Sequence, residues 1–217
     1  MTDKENLIKA MKSGDLASSV ELVKKVLEKG VPATEVLHSL INAIREVGDA
    51  FEKFDIFLPE MTLASNAMVE ILEILEPKLK EESPGTQIKA TKVIMATVKG
   101  DMHEIGKNIV MTLMKANRFD VVDLGADVDS LEIIKAAERE KADFIGLSAL
   151  MTTTMTSQKE VIDILKDMKL REKFKVVIGG APTTQAWADR IGADGWAKDA
   201  SNAIILVEKL ILEKGAA

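Results

Sequence analysis

KVIMATVKGDMHEIGKNIVMTLMKANRFDVVDLGADV, residues 92–128, changes its periodicity twice. KVIMATV (92–98) is an apolar, β-rich run of strand length, GDMHEIG (100–106) interrupts it with two glycines and charged residues, a helical pattern covers about 104–117, and DVVDL (120–124) returns to strand chemistry. Strand, helix, strand is the pattern of a βαβ unit, which brings two parallel strands side by side through a crossover. Downstream the rhythm repeats. DFIGLS (143–148) and KVVIGG (175–180) read as strands, a weaker run lies near 194–197, and helical patterns fill about 130–140, 156–169, 184–192 and 200–213. The expected fold is therefore an α/β, flavodoxin-like (Rossmann-type) five-stranded parallel sheet covered by helices. Its ligand edge lies at the carboxyl ends of the strands, with the switch point between the first and third strands.

Upstream the sequence reads as helix only. Leu7, Ile8, Ala10 and Met11 recur at helical spacing up to Gly14, and Leu16, Val20, Val23 and Leu27 repeat the pattern up to Gly30. Pro32 suits the first turn of a third helix running through Val36, Leu40, Ile44 and Val47, and Pro59 opens a fourth carrying Met61, Ala64, Met68, Ile71 and Leu75. Short connections between them predict an all-α four-helix bundle. SPGTQIK (83–89) is rich in breakers. The expected division is a bundle at 1–83, a linker at 84–89 able to act as a hinge, and the sheet domain at 90–217.

Composition narrows the chemistry. A net charge of −6 argues against a nucleic-acid partner, which calls for a basic stripe. No apolar run approaches the roughly 18 residues of a membrane span, and MTDKENLIKAMKSGD lacks a secretory signal, so the expectation is a cytoplasmic protein with no membrane partner. There is no cysteine, which removes disulfides, iron–sulfur clusters and thiolate chemistry. With only two histidines, His38 and His103, a zinc site of several His or Cys ligands is ruled against. His38, between Leu37 and Leu40 on a helix, reads as structural or solvent-facing.

The segments following the strands are GDMHEIG (100–106), GADVD (125–129), SALMTTT (148–154) and GGAPTT (179–184), and the fold gathers them on one edge. The first could be taken for an anion site at a helix N-terminus. It lacks G-x-G-x-x-G and the P-loop spacing, however, and Asp101 and Glu104 would repel a phosphate. Asp101-x-His103 suits a metal ligand better: one imidazole nitrogen binds while the carboxylate fixes the other. A single protein ligand suffices when a macrocycle supplies the equatorial donors, which leaves haem or a corrinoid.

Asp101, His103 and Gly106, then Ser148 and Leu150 in S-x-L, then Gly179–Gly180, resemble the D-x-H-x-x-G…S-x-L…G-G signature of cobalamin-binding domains. The helical half resembles the cap of cobalamin-dependent methionine synthase, with Phe57-Leu58-Pro59-Glu60 and Ala67-Met68 as matching segments. SALMTTTM (148–155) and GGAP (179–182) look most like the corrinoid proteins of methylamine and quaternary-amine methyltransferase systems. The resemblance implies cobalamin, cycling between methylcob(III)alamin and cob(I)alamin, with His103 as lower axial ligand to cobalt. It implies a cofactor loop of Asp101, Met102, His103, Glu104, Ile105 and Gly106. It also implies a slot for the displaced nucleotide tail at Gly106, Ser148, Leu150, Thr152, Gly179 and Gly180, and a cap contacting the upper face through Phe57, Leu58 and Met61. Thr154 takes the place of a serine in the family's His–Asp–Ser relay, with Thr153 as a possible substitute. The implied protein is a methyl carrier, not catalytic alone. Its implied partners are a substrate-specific methylamine or quaternary-amine methyltransferase, a corrinoid:folate or corrinoid:coenzyme M methyltransferase, and a reductive activase. Two other classes sharing the module are a cobalamin-dependent sensor, which adds a DNA-binding domain, and an adenosylcobalamin mutase small subunit, which usually lacks the bundle.

Overall fold

The computed structural model describes residues 2–82 and 91–215. Of these, 2–82 with 115–118 form one compact unit and 91–114 with 119–215 another. The expected linker at 84–89 lies outside the described residues. No helix among them is long and apolar enough to cross a membrane.

The first unit contains α1 (Asp3–Lys12), α2 (Leu16–Glu28), α3 (Ala33–Glu52) and α4 (Leu58–Glu82). Thr2 and Glu5 close a reciprocal capping box on α1, and the Asp15 carboxylate caps α2 through Ser18 N–H at 3.1 Å. Pro32 stands one residue before α3, not inside it, and gives that helix no side-chain cap. Its open N–H groups are satisfied instead from the far end of α4, where Glu82 accepts from Ala33 and, at 3.0 Å, from Thr34. The fourth helix also runs further than its apolar pattern, through Pro77 to Glu82. Leu7, Met11, Val23, Leu40, Ile44, Met61, Met68, Ile71 and Leu75 form the fully buried interior, while His38 is exposed. Gly14, at φ +72°, lets the α1–α2 turn press against α4, where a Cβ would come within 2.4 Å of Leu63 Cβ.

The second unit is a parallel sheet of β1 (Lys92–Thr97), β2 (Asp120–Asp123), β3 (Phe144–Ser148), β4 (Lys175–Gly179) and the two-residue β5 (Gly195–Trp196), in the order β2-β1-β3-β4-β5. This is the flavodoxin-like order expected from the sequence. The connecting helices are α5 (Ile105–Ala116), α6 (Ser130–Arg139), α7 (Met155–Asp167), α8 (Gln185–Ile191) and α9 (Ala200–Gly215). Ile94, Ile145, Leu147, Val176 and Ile178 share a core with Ile133, Ile134, Val161, Ile162 and Leu165 of α6 and α7. Val93, Met95, Phe144 and Val177, which alternate with them, are buried too, as a sheet covered on both faces requires. In register, Thr97 of β1 lies beside Ser148 of β3, and Ser148 beside Gly179 of β4. The three parts of the signature therefore lie side by side at one edge.

Candidate functional site

Asp101, in the loop after β1, has a fully buried carboxylate that receives five hydrogen bonds. Oδ1 accepts from His103 Nδ1 at 2.7 Å and His103 N–H at 3.1 Å; Oδ2 accepts from Leu150 N–H at 2.7 Å, Met151 N–H at 3.3 Å and the Thr154 hydroxyl at 2.7 Å. Burial alone would raise the pKa of this group. The Thr154 hydroxyl, the Leu150 N–H and the two N–H groups of His103 outweigh burial and hold the carboxyl far below the usual carboxylate range. An ionised Asp101 can only accept, so Nδ1 of His103 carries the hydrogen and the lone pair of the neutral ring is at Nε2. The His103 side chain is half exposed, and among the described residues Nε2 has no hydrogen-bond partner. The loop thus anchors an imidazole through one nitrogen and leaves the other available.

The loop that opens with S-x-L supplies three of these five donors, two of them backbone N–H groups. Ser148 is half-buried and its carbonyl accepts from Val98 N–H at 3.0 Å; Leu150 and Thr152 are exposed. Thr154, the residue in the serine position, is buried and reaches Asp101, whereas Thr153 is exposed and offers its carbonyl to Thr156. Met102 and Ile105 are about three-quarters exposed, unusual for apolar side chains flanking a histidine. Glu104 pairs with Lys107 at 3.1 Å, and Gly106 is exposed, with nothing within 4 Å of where a Cβ would be.

The loop after β4 is held differently. Gly180 sits at φ +116°, and a Cβ there would fall 1.8 Å from the Ala149 carbonyl oxygen. The glycine is thus required by the chain's own backbone, a tighter constraint than the approach of a ligand tail for which the sequence marked it. Gly179 has room, its nearest neighbour being the Ala197 carbonyl oxygen at 3.4 Å from a built Cβ. Buried Gln158 donates to the carbonyls of Leu147 and Gly179, both at 3.1 Å, and accepts from Trp187 Nε1 at 3.0 Å. Buried Thr183 donates to the Gly180 carbonyl at 2.6 Å and accepts from Trp196 Nε1 at 2.9 Å. None of Gln158, Thr183, Trp187 and Trp196 was marked from the sequence, although a polar residue on the inner face of an amphipathic helix was a visible signal at Gln158.

In the bundle, Phe57, one residue before α4, and Leu58, its first residue, expose apolar side chains, while Met61, grouped with them from the sequence, is fully buried and belongs to the bundle core. No cluster of three or more His, Cys, Asp or Glu able to hold a bare metal ion exists among the described residues. An imidazole with one nitrogen available, on a loop that also exposes Met102, Ile105 and Gly106, suits a metal that brings its own equatorial donors.

Residues 91–205 match the family described as B12 binding domain, and residues 4–76 match a second family of the same description. Dimethylamine corrinoid protein 2 of Methanosarcina acetivorans is 41% identical over 99% of this chain and all of its own length. Among solved structures, a cobalamin-binding protein from Desulfitobacterium hafniense superposes with a TM-score of 0.78 at 30% identity, covering 95% of this chain and 97% of its own. The methanol:cobalamin methyltransferase complex of Methanosarcina barkeri gives 0.74 at 30% identity, covering 95% of this chain and 78% of the matched chain.

Proposed function

This chain belongs to the B12-binding family of corrinoid proteins, and from that membership we infer that it is a corrinoid methyl carrier with cobalamin as its cofactor. It works with a methyltransferase partner. In our reading a substrate-specific methyltransferase loads it from a methylamine or quaternary amine. A second methyltransferase passes the methyl group to tetrahydrofolate or coenzyme M, and a reductive activase restores the carrier. Likeness to a dimethylamine corrinoid protein along the whole chain favours this over the sensor and mutase readings.

The observation that carries the reading is His103, tied to a buried carboxylate through Nδ1 and with Nε2 unclaimed. When bound, the corrinoid supplies a cobalt centre that accepts and releases a methyl group. His103 would hold the cobalt through Nε2. Asp101 raises the basicity of that nitrogen and fixes its tautomer. The Asp101 carboxyl, held ionised by the donors around it, would stay an acceptor for Nδ1–H and so keep the Nε2 lone pair free for the group the site binds. Thr154 supplies the hydroxyl of the relay. Gly106, Gly179, Ser148, Leu150 and Thr152 would line the slot for the nucleotide tail, with Gly180 shaping its wall. Met102, Glu104 and Ile105 would border the ring. In the bundle, the residues we assign to the cofactor are the exposed Phe57 and Leu58, with Met61 one turn further along α4.

The test is reconstitution. The protein loaded with reduced cobalamin is mixed with candidate partner methyltransferases and a panel of mono-, di- and trimethylamine and glycine betaine. One of these amines should be demethylated at a rate that depends on the carrier. Transfer from none of them, by a carrier that binds the cofactor, would refute the amine assignment.

A further inference from the structure

Lys107 is among the largest fully buried side chains of the protein, and its ammonium group lies between two carboxylates. It pairs with Asp123 at the end of β2 and, at 3.1 Å, with Glu104 in the first residues after His103. Both carboxylates are partly solvated, at 37% and 41% side-chain exposure, so each could be hydrated without the lysine. Burying an ammonium group to meet them is poor value for stability and is better understood as fixing a geometry.

The contacts continue around the loop. Asp123 Oδ1 also accepts from Gly125 N–H at 2.9 Å, the Gly125 carbonyl accepts from Thr97 N–H at 3.0 Å, and the Thr97 hydroxyl donates to the His103 carbonyl at 3.1 Å. Followed from end to end, the path leaves Glu104 through Lys107, Asp123, Gly125 and Thr97 and returns to His103. It closes on the peptide group joining residues 103 and 104. Asp101 holds the imidazole; this second ring of contacts holds the backbone from which the imidazole hangs.

We propose that Lys107 is a positioning residue for His103, clamping the His103–Glu104 peptide so that Nε2 is held in one place for the metal it would bind. The proposal rests on His103 being the ligand. It assigns the role to an interaction separate from the Asp101 relay: removing Glu104 cuts the link to the loop while sparing the Lys107–Asp123 pair.

The test uses the full chain, without cofactor and saturated with cobalamin, as parent, Glu104→Ala, Lys107→Met and the double variant. In the apo protein, amides 102–107 should exchange with solvent faster in all three variants. In the loaded protein, the ratio of histidine-on to histidine-off spectra at neutral pH should fall about tenfold in each single variant, as for other outer partners of metal ligands. It should fall no further in the double variant, because both substitutions break the same link. A general loss of stability would not move this ratio at saturating cofactor. If Lys107→Met does not fold, Glu104→Ala, at a partly exposed side chain, carries the test alone. Parental ratios with parental exchange, or effects that add in the double variant, overturn the proposal. A parent with no histidine-on spectrum overturns the reading of His103 instead, and the apo exchange data still judge the clamp.

Discussion

The loops after β1 and β4 flank the same strand, β3, at one edge of the sheet, and each carries a glycine of the signature. At Gly106 a Cβ would meet nothing within 4 Å; at Gly180 it would fall 1.8 Å from a backbone oxygen. The first loop is organised by a buried anion that draws in five donors and leaves one nitrogen facing out. The second displays no reactive side chain and is fixed by close backbone approach and by Gln158 and Thr183 beneath it. Gly180 thus answers to the protein's own backbone, whereas no neighbour among the described residues demands a glycine at Gly106, and we propose that the bound cofactor does.

The comparison can be broken at either loop. The largest effect on stability is expected at Gly180→Ala, where a left-handed backbone and a direct clash combine. We expect a loss of at least about 3 kcal/mol in chemical denaturation, with cofactor affinity falling as a consequence. A variant of parental stability would mean that the loop relaxes freely and that the contrast with Gly106 is false.

Next comes Asp101→Asn, which exchanges a charged acceptor for a neutral amide that must place an NH2 among donors. A loss of about 2 kcal/mol at neutral pH is expected. The sign of its pH dependence follows from the depressed folded pKa of Asp101. Its contribution is fully present above the ordinary carboxylate range and is lost as pH falls toward the folded value. The gap in thermal midpoint between parent and variant should therefore be constant above about pH 5, begin to narrow below it, and go on narrowing as pH falls toward the folded value. A gap that widens on acidification would show that Asp101 is not the ionised anchor described above.

The smallest effect on stability, and the sharpest contrast, is Gly106→Ala. Gly106 lies in the first turn of α5, where alanine is the better helix former, so the apo protein should be unchanged or stabilised by up to about 1 kcal/mol. Cobalamin affinity should nevertheless drop by an order of magnitude or more, measured by titration against the absorbance of the free cofactor. Unchanged affinity would remove Gly106 from the binding surface.

The sequence made the sheet legible because its runs of strand and helix chemistry alternate at short, regular spacing. The limit came at β5, whose two residues, Gly195 and Trp196, carry little periodicity. Asp101, His103 and Gly106 could be picked out because an acid, an imidazole and a glycine at that spacing have few structural uses. What surrounds them was hidden for physical reasons. Three of the five donors to Asp101 are backbone N–H groups, which every residue but proline possesses. Nothing in the sequence sets Lys107 apart from the other lysines on helices, and only the tertiary fold buries it between Glu104 and Asp123. Met61 shows the opposite case: the family resemblance grouped it with Phe57 and Leu58 as a cofactor contact, but its place in the apolar pattern of α4 carries it into the core.

The central claim is a bond between cobalt and the imidazole of His103. Electron paramagnetic resonance of the protein loaded with cob(II)alamin, prepared with natural-abundance and with nitrogen-15 histidine, reads that bond directly. The account predicts that the axial nitrogen splitting is a triplet in the first sample and a doublet in the second. It predicts the same isotope response in His38→Ala and no nitrogen splitting from the protein in His103→Ala. A triplet that ignores the histidine label, or a labelled doublet that survives His103→Ala, would contradict it.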